Sequence, residues 1–431
     1  MSLMQSIRAH PVRSLALAVL ATVLVVLVTL NVTTGEQRID EKVGTTFDLD
    51  DGQFRREMGV LLGPAIVGGN TVTALHNGDE IFPAMLAAID SARQTITFET
   101  YIYWEGEVGT QFAEALAAKA REGVDVHVLV DWAGALKVDD ATLDQMETAG
   151  VEVEQYRPLE WYRLGRMNSR THRKLLVIDG EVGFTGGVGI ADVWDGDAQD
   201  PDHWRDIHFQ VQGPVVAQMQ AAFLDNWIQT TGDVLNGPAY FPPLDSVGTV
   251  AAHVFTSSPE GGSDSMRLMY LLAISSASQT IALEAAYFVP DAVMVRALVA
   301  AAERGVEVRV LVPGPYIDSD LVRVSSRKIW GDLLAAGAEI SVYQPTMLHT
   351  KMLIVDRQMV SVGSTNFDVR SFELNDEASL NLYDADFAEA MTRVFEHDWA
   401  QGEPYTYEMW ASRPWTERFA ETVLLPLKSQ L

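Results

Sequence analysis

Hydrophobic positions along the chain fall into alternating strand-like and helix-like patterns. Residues 95–103 alternate in polarity and are rich in β-branched and aromatic side chains, which predicts a strand. Alanine-rich segments at 111–121 and 295–304 predict helices, and the valine-rich runs that follow them, at 124–130 and 306–312, predict interior strands. This strand–helix–strand order predicts an α/β fold in which helices cover a largely buried sheet.

The same order of elements occurs twice, which indicates a duplicated domain. SARQTITFETYIY, from Ser91, reappears as SASQTIALEAAYF, from Ser276. AREGVDVHVLVD, from Ala120, reappears as AERGVEVRVLVP, from Ala302. A segment rich in glycine and proline, residues 230–248, is predicted to join the two halves.

One apolar segment indicates attachment to a membrane. Residues 14–32 carry no charge and are about long enough to cross a bilayer as a helix. A cleaved secretory signal is the alternative, but the run is long for one and no small-x-small cleavage site follows it. Arg8 and Arg13 precede the run, which favours a single-pass cell-membrane protein with an extracytoplasmic catalytic body. The predicted divisions are a membrane anchor at 1–35, a connecting segment at 36–74, a first repeat at 75–235, a second repeat at 236–400 and an amphipathic tail at 401–431.

Composition narrows the classes of partner and cofactor. The 431 residues include 59 acids and 31 bases, for a formal net charge of −28. So acidic a chain argues against nucleic acid as a partner, because binding to a phosphate backbone needs clustered Lys and Arg. There is no cysteine, which excludes disulfides, thiolate metal ligands and a cysteine nucleophile. Histidines outside the motifs described next have no partners at metal-ligand spacing, so we predict neither a metal nor another cofactor.

The most informative residues are two His-x-Lys pairs, one in each half. RTHRKLLVIDG holds His172 and Lys174, and LHTKMLIVDR holds His349 and Lys351. Residues two apart in a strand point to the same side, so each imidazole is expected beside an ammonium group. The lysines suit a phosphoryl group, one neutral imidazole can attack phosphorus, and the other can exchange protons with leaving and entering oxygens. A lone pair of this kind is usually solvated surface, but two copies at equivalent places favour one shared site.

Four carboxylates accompany these pairs. Asp206 and Glu377 occupy matching places in the two halves and are candidates to fix the tautomers of the histidines. Asp179 and Asp356 each lie seven residues after a histidine. Because that spacing is odd, a regular strand would point them away from the site. The spacing therefore predicts that they support the backbone and a neighbouring turn.

The two motifs resemble the signature of the phospholipase D superfamily, which is His-x-Lys-x4-Asp followed by Gly-Gly or Gly-Ser and an Asn. The resemblance covers about residues 75–431, and the stretch at 363–380, GSTNFDVRSFELNDEASL, looks like the bacterial cardiolipin synthase branch. It implies two pseudo-twofold-related α/β sandwich domains, one active site between them, a phosphohistidine intermediate on His172, and His349 as general acid and then base. The site residues it implies are catalytic His172, Lys174, Asp179, His349, Lys351 and Asp356, histidine-orienting Asp206 and Glu377, and phosphate-binding Gly187, Ser364 and Asn366.

One position departs from this signature. Small residues such as Gly187 and Ser364 would let the backbone approach a phosphate closely. The family usually places an Asn in both halves, but this chain has Gly189 in the first and Asn366 in the second. A phosphate donor is therefore expected to be missing on one side of the site.

The function that these residues favour is transfer of a phosphatidyl group between two phosphatidylglycerol molecules at a bilayer, giving cardiolipin and glycerol. A hydrolytic phospholipase D is the main alternative, because its first step is the same. A nuclease is disfavoured by the net charge, and a catalytically impaired membrane scaffold stays open because of Gly189. Since the site is intramolecular, a monomer is possible.

Overall fold

Most strands of both halves join into one mixed sheet, and β11 and β16 pair with each other in a separate two-stranded sheet. The computed structural model describes residues 11–32, 47–158, 168–258 and 265–424. The strands are β1 (Val67–His76), β2 (Thr95–Thr100), β3 (Asp125–Asp131), β4 (Glu152–Tyr156), β5 (Arg170–Thr171), β6 (Leu175–Ile178), β7 (Val182–Gly186), β8 (Ile207–Gln212), β9 (Val250–Ser257), β10 (Thr280–Ala285), β11 (Phe288–Val289), β12 (Glu307–Pro313), β13 (Glu339–Tyr343), β14 (Lys351–Val355), β15 (Met359–Gly363), β16 (Phe367–Asp368), β17 (Asn375–Tyr383) and β18 (Gly402–Tyr405).

The strand order shows the duplication directly. From edge to edge it is β4-β3-β2-β6-β7-β8-β1-β9-β17-β15-β14-β10-β12-β13-β18, with β5 attached to β17. Outward from the central β1–β9 pair, the two sides match strand for strand as far as β4 and β13. The outer strands are parallel on both sides, β2–β3–β4 and β10–β12–β13. The α/β class is confirmed, and this order gives the sheet a pseudo-twofold arrangement.

Helices follow the strands as the hydrophobic pattern predicts. They are α1 (Pro11–Val32), α2 (Gly52–Leu61), α3 (Asn77–Ser91), α4 (Glu107–Arg121), α5 (Asp140–Ala149), α6 (Val216–Thr231), α7 (Ser265–Ser276), α8 (Ala292–Glu303), α9 (Asp320–Ala335), α10 (Val369–Glu373), α11 (Ala385–Trp399), α12 (Tyr407–Ser412) and α13 (Trp415–Leu424), with a 3₁₀ turn at Asp192–Trp194. Predicted helices at 111–121 and 295–304 correspond to α4 and α8. Gly123 and Gly305 follow them with φ of 93° each, the left-handed conformation that glycine adopts without strain.

Both faces of the sheet are covered, and one of the cores is shared by the two halves. Along β6, Leu176 and Ile178 enter the core beneath α3 and α4, whereas Leu175 and Val177 enter a second core on the opposite face. That second core also contains residues of α6, from the first half, and of α11, from the second half. Because its side chains alternate between the two faces of the sheet, the buried strand β6 contributes to both cores. The second of these cores is shared by the two repeats.

Helix α1 contains the segment predicted to be a membrane anchor. Of the helices within the described ranges, none combines the length and the apolar character that crossing a bilayer requires. The predicted transmembrane helix is therefore not confirmed. The remainder of the predicted anchor, residues 1–10 and 33–35, lies outside the described residues.

The segments flanking the two repeats pack against the second half. In the predicted connecting segment, Phe54 and Met58 of α2 are buried in the second-half core, and the Phe54 ring lies 6.2 Å from that of Tyr383. In the tail, Trp410 of α12 donates from Nε1 to the carbonyl oxygen of Arg327 in α9 at 2.8 Å. Strand β1 already begins at Val67, ahead of the predicted boundary at residue 75.

Candidate active site

The first His-x-Lys pair sits where a short strand meets the opposite half. β5 runs into His172 and pairs in parallel with β17, so that Thr171 lies opposite Asp376. The backbone N–H of His172 donates to the carbonyl oxygen of Asp376 at 2.8 Å. Lys174 then leads into β6, and its Nζ donates to the His172 carbonyl oxygen at 2.8 Å. A histidine of the first half is thus positioned by a strand of the second.

The second pair has the mirrored arrangement. The backbone N–H of His349 donates to the carbonyl oxygen of Arg205 at 2.8 Å, and that of Arg205 donates to the carbonyl oxygen of Met347 at 2.9 Å. Lys351 opens β14, and its Nζ donates to the His349 carbonyl oxygen at 2.6 Å and lies 3.1 Å from His349 Nε2. Each motif is therefore hydrogen bonded to the other repeat.

The histidine–carboxylate pairs also cross between the halves. His172 Nδ1 lies 3.0 Å from Glu377 Oε2, and His349 Nδ1 lies 2.7 Å from Asp206 Oδ2. Both carboxylates are fully buried. Each ionised carboxylate accepts a hydrogen bond from Nδ1–H, which leaves Nε2 of each ring as the nitrogen available to substrate. The sequence predicted Asp206 and Glu377 as candidates for this role. Only the tertiary structure shows that each carboxylate is hydrogen bonded to the histidine of the other half.

Different groups support the two carboxylates. Glu377 accepts from the Ser364 hydroxyl at 2.6 Å and from Asn375 Nδ2 at 3.2 Å. Asp206 accepts from the indole N–H of Trp194 at 3.1 Å. A Cβ at Gly187 would lie 2.2 Å from an oxygen of Asp206.

Phosphate binding by Gly187 and Ser364 stays a prediction, and the structure shows further contacts for both residues. The hydroxyl of Ser364 is directed at Glu377, and the lack of a side chain at Gly187 makes room for Asp206. Neither residue lines the cavity that contains the histidines. Both act on the carboxylates behind the imidazoles.

Asn366 and Gly189 differ in what surrounds them. Asn366 lines the cavity, and its buried Oδ1 has no hydrogen-bond partner within the described part of the chain, so its amide can reorient toward a phosphate. A Cβ at Gly189 would lie 2.8 Å from Cβ of Ile102 and 3.1 Å from Cζ3 of Trp194. The space for a side chain at position 189 is thus filled by Ile102 and Trp194.

Asp179 and Asp356 hold turns at the edge of the sheet. Asp179 accepts from the backbone N–H groups of Arg93, Gln94 and Thr95 at 2.8–3.2 Å. Asp356 accepts from the equivalent turn before β10, beginning at Ser278. Neither carboxylate lines the cavity. The geometry agrees with the supporting role expected from their odd spacing, and a catalytic role for either residue stays a prediction.

Both histidines line one cavity of about 240 Å³. Its wall includes Lys174, the aromatic residues Tyr101, Trp104, Trp194, Trp204 and Tyr287, and the polar residues Arg170, Asp318, Asn366, Asp368, Arg370 and Asn375. A larger cavity of about 470 Å³ lies elsewhere, beside Arg393 and His397, and contains neither catalytic pair. No cluster of three His, Cys, Asp or Glu side chains suited to a metal ion occurs within the described ranges.

Aromatic rings enclose both imidazoles. The Tyr101 ring lies 5.1 Å from that of His172, and the rings of Trp194 and Trp204 each lie 5.3 Å from that of His349. Sequence reasoning missed these residues, because no repeated spacing distinguishes them from core aromatics. Their packing removes water from the imidazoles.

Burial controls the protonation of the two histidines and the two lysines. It lowers the pKa of His172 to about 4 and that of His349 to about 3, although the carboxylate beside each ring opposes the shift. Burial also lowers the pKa of Lys174 to about 7 and that of Lys351 to about 8. At neutral pH both rings are therefore neutral before substrate binds.

The pKa values of the two histidine-orienting carboxylates, Asp206 and Glu377, are shifted in the opposite direction to that of an isolated buried acid. Burial alone would raise the pKa of Asp206 and that of Glu377. The histidine and lysine beside each one outweigh burial, so both pKa values are lowered. Both carboxylates remain ionised and can stabilise an imidazolium.

Comparison with known proteins agrees with this geometry. The family model described as "Cardiolipin synthase, PLD-like domain" matches residues 85–223 and 270–399. A cardiolipin synthase of Geobacillus kaustophilus (strain HTA426) is 35% identical over 352 residues, which cover 81% of this chain and 70% of the relative. The major cardiolipin synthase ClsA of Bacillus subtilis (strain 168) is 33% identical over 357 residues, covering 82% and 74% of the two chains.

A solved structure shares the fold at low identity. The phosphatidylserine synthase of Haemophilus influenzae Rd KW20 superposes with a TM-score of 0.69 at 14% identity, covering 88% of this chain and 100% of the other. The duplicated α/β fold and the paired His-x-Lys motifs define an enzyme of the phospholipase D-like class. Within that class the chain belongs to the cardiolipin synthase family and is a phosphatidyltransferase. The resemblance noted from the motifs is confirmed.

Proposed function

We propose that this protein joins two phosphatidylglycerol molecules into cardiolipin and releases glycerol, through a phosphohistidine on His172. The observation that carries the proposal is the crossed arrangement of two imidazoles in one cavity. Each has its Nδ1 held by a carboxylate of the opposite half, which leaves Nε2 for the substrate. One of these rings can bond to phosphorus while the other exchanges a proton with the departing or entering oxygen.

In the first step, Nε2 of His172 attacks the phosphorus of the donor lipid. The N–P bond forms as the bond from phosphorus to the oxygen of the head-group glycerol breaks. That oxygen takes a proton from His349, and glycerol leaves. Although burial keeps the imidazole of His349 neutral at neutral pH, the negative charge of a bound phosphodiester raises its pKa. Lys351, whose Nζ lies 3.1 Å from His349 Nε2, binds the same phosphate in this proposal.

In the second step, His349 acts as the base. It takes the proton of a hydroxyl on the second phosphatidylglycerol, whose oxygen attacks the phosphorus as the bond to His172 breaks. The products are cardiolipin and free His172. Lys174 and Lys351 offset the charge that develops on the non-bridging oxygens in both steps, and Asn366 offers an amide from the second half.

Attachment to a lipid bilayer through residues 1–35 is part of this proposal. Apolar side chains of α1 are exposed, among them Val12 at 79% and Leu15 at 68%. Exposed apolar side chains in such numbers favour a lipid environment. Separation of membranes from soluble protein by sedimentation, followed by alkaline extraction, tests this part: recovery of the full-length protein in the soluble fraction would contradict it.

The alternative is a hydrolytic phospholipase D, in which water takes the place of the second lipid. The histidines act identically in both reactions, so product analysis separates them. Purified protein in phosphatidylglycerol vesicles is expected to form cardiolipin and glycerol in equal amounts. Phosphatidic acid as the only lipid product would favour hydrolysis, and no turnover at all would favour the scaffold.

Substitution of the two histidines tests the roles within the cycle. His172→Ala and His349→Ala are each expected to abolish cardiolipin formation, because neither step can proceed with one imidazole. His397→Ala, at an exposed position of α11, is the matched control and is expected to keep full activity. An acid-labile phosphatidyl adduct on His172, found by mass spectrometry of the quenched protein, would identify the nucleophile; cardiolipin formation by His172→Ala would contradict the assignment.

A further inference from the structure

We propose that Arg170 and Arg370 bind the phosphate of the acceptor lipid, so that the enzyme selects an anionic phospholipid over water or a neutral alcohol. This inference rests on the proposed function, since it identifies the second substrate of the same site. The two arginines lie in the cavity of the two histidines, but neither is needed for the proton transfers described above.

The two guanidinium groups reach the cavity from opposite halves. Arg170 is the first residue of β5, two positions before His172, and lies opposite Asn375 in the β5–β17 pairing. Arg370 belongs to the short helix α10, directly before β17. The same strand pairing that positions His172 therefore brings both arginines to the wall of the cavity.

Hydrogen bonds and a ring contact orient both side chains. Arg370 donates from Nη2 to the carbonyl oxygen of Asn168 at 2.9 Å and from Nη1 to Asn168 Oδ1 at 3.2 Å. The guanidinium carbon of Arg170 lies 5.0 Å from the centre of the Trp132 ring, and its Nη1 donates to the carbonyl oxygen of Ser169 at 3.2 Å. Guanidinium groups oriented in this way can still offer N–H donors to two oxygens of one phosphate.

Nearby carboxylates are engaged by backbone donors. Asp131 accepts from the N–H groups of Ala133 and Thr171 at 2.9 and 3.0 Å, and Asp368 accepts from that of Ser371 at 2.7 Å. Asp318, also in the cavity wall, accepts from the hydroxyl of Tyr287 at 2.6 Å. The positive charge of Arg170 also acts on Asp131 and that of Arg370 on Asp368, so these carboxylates are shared between backbone donors and the arginines.

The electrostatics of the pair favour an anion between them. Burial lowers the pKa of Arg370 and the positive charge of Arg170 lowers it further, although Tyr101, Asp368 and Asp131 oppose the shift. Two guanidinium groups close enough to oppose each other in this way are stabilised when a phosphate binds between them.

The chemistry of the product requires two anion sites. Cardiolipin carries two phosphodiesters joined by one glycerol, so the acceptor's own phosphate must lie within a few bonds of the reacting phosphorus. Lys174 and Lys351 adjoin the histidines and serve the reacting phosphate. The arginines supply a second cationic site in the same cavity, and only an acceptor with a phosphate can use it.

Two reactions with a common donor test this inference. The full-length protein is placed in phosphatidylglycerol vesicles with labelled glycerol, and two products are measured: cardiolipin, and label exchanged into phosphatidylglycerol. Both require the phosphohistidine, but glycerol as an acceptor has no phosphate. Arg170→Gln and Arg370→Gln are each expected to reduce cardiolipin formation by about tenfold or more, with glycerol exchange kept within about twofold.

Matched variants make the outcome decisive. Arg121→Gln removes one positive charge at an exposed helix end and is expected to leave both reactions unchanged. Arg370→Lys keeps the positive charge but loses the paired N–H donors of the guanidinium group, and it is expected to retain part of cardiolipin formation. It also provides a test if the Arg370→Gln variant does not fold. An equal loss of both reactions, or no loss of either, would overturn the inference. Wild-type protein that exchanges glycerol but makes no cardiolipin would instead contradict the proposed function.

Discussion

Single buried groups set the chemistry of this site. The two imidazoles and two ammonium groups are almost completely removed from water, which weakens their hold on protons. In the proposed mechanism the bound phosphate stabilises the cationic forms of Lys174, Lys351 and His349, because an anion in a low-dielectric cavity stabilises nearby cations. His172 stays neutral and acts as the nucleophile, whereas His349 gains the proton that it donates.

We predict that kcat/KM for phosphatidylglycerol falls as pH rises through about 7 to 8. Lys174 and Lys351, with pKa values of about 7 and about 8, must be protonated to attract the phosphate, and each loses its proton in that window. Initial rates with a short-chain soluble phosphatidylglycerol, measured across that range, check this. Lys174→Arg should move the fall to higher pH, because arginine stays protonated; an unchanged profile would argue against the lysine.

Trp194 provides a second prediction at this scale. Trp194→Phe keeps a ring beside His349 but removes the N–H donated to Asp206. We expect kcat to fall about tenfold with little change in KM, because the carboxylate loses a charge-assisted hydrogen bond. Trp204→Phe is the control, since its ring lies equally close to His349 and no bond to Asp206 is involved. Equal effects of both substitutions would contradict the positioning role of Trp194.

At the scale of elements, short strands and turns carry the catalytic residues to the centre of the molecule. β5 contains only Arg170 and Thr171, yet its pairing with β17 positions His172 and aligns Glu377 behind it. The turns before β2 and β10 are held by backbone hydrogen bonds to the aspartate of each motif, Asp179 for β2 and Asp356 for β10. The motif, repeated in both halves, thus combines residues proposed to react with residues that maintain the sheet.

Asp356→Ala is predicted to separate these two roles. Its carboxylate accepts hydrogen bonds from the backbone of Ser278, Gln279 and Thr280 and from the Ser278 hydroxyl. Loss of these bonds should lower the free energy of unfolding by about 2–4 kcal/mol, with the activity of the folded fraction little changed. Denaturant unfolding and specific activity at low temperature provide the measurements. Asp332→Ala, exposed on α9, serves as the control, and a folded but inactive Asp356 variant would refute the structural role.

At the scale of the whole molecule, the two repeats depend on each other. The sheet is continuous across β1 and β9, a core is shared by α6 and α11, and each catalytic histidine is paired with a carboxylate from the other half. A buried ion pair between Arg205 and Asp398, 2.8 Å apart, links the halves beside His349.

We predict that Arg205→Met strongly destabilises this junction. The substitution leaves the carboxylate of Asp398, 1% exposed, without its cation, and should cost about 3–5 kcal/mol in the free energy of unfolding. Adding Asp398→Asn removes the uncompensated charge and should recover part of the loss. Arg357→Met is the matched control, because its pair with Glu389 is exposed and about 4.0 Å long. Similar losses for the buried and exposed pairs, measured by denaturant unfolding, would contradict the argument.

Sequence patterns predicted much of this molecule because they report local physics. The periodicity of α4 and α8, the glycines that end them and the apolar runs of β3 and β12 were all recognisable along the chain. The His-x-Lys pairs and the carboxylates at 206 and 377 were recognisable because duplication placed them twice. The contacts of Ser364 with Glu377 and of Gly187 with Asp206 were not predicted, since a small residue beside a motif indicates close approach but not which group approaches.

By itself, the sequence determined the α/β class, the duplication and the chemical groups available for phosphoryl transfer, because each follows from residue types at short spacing. Only the tertiary structure decided which groups meet. His172 meets Glu377, His349 meets Asp206, and Trp194 occupies the space beside Gly189. These contacts join residues that are distant along the chain. They depend on how the two halves pair through β1 and β9 and through β5 and β17, and not on any local pattern.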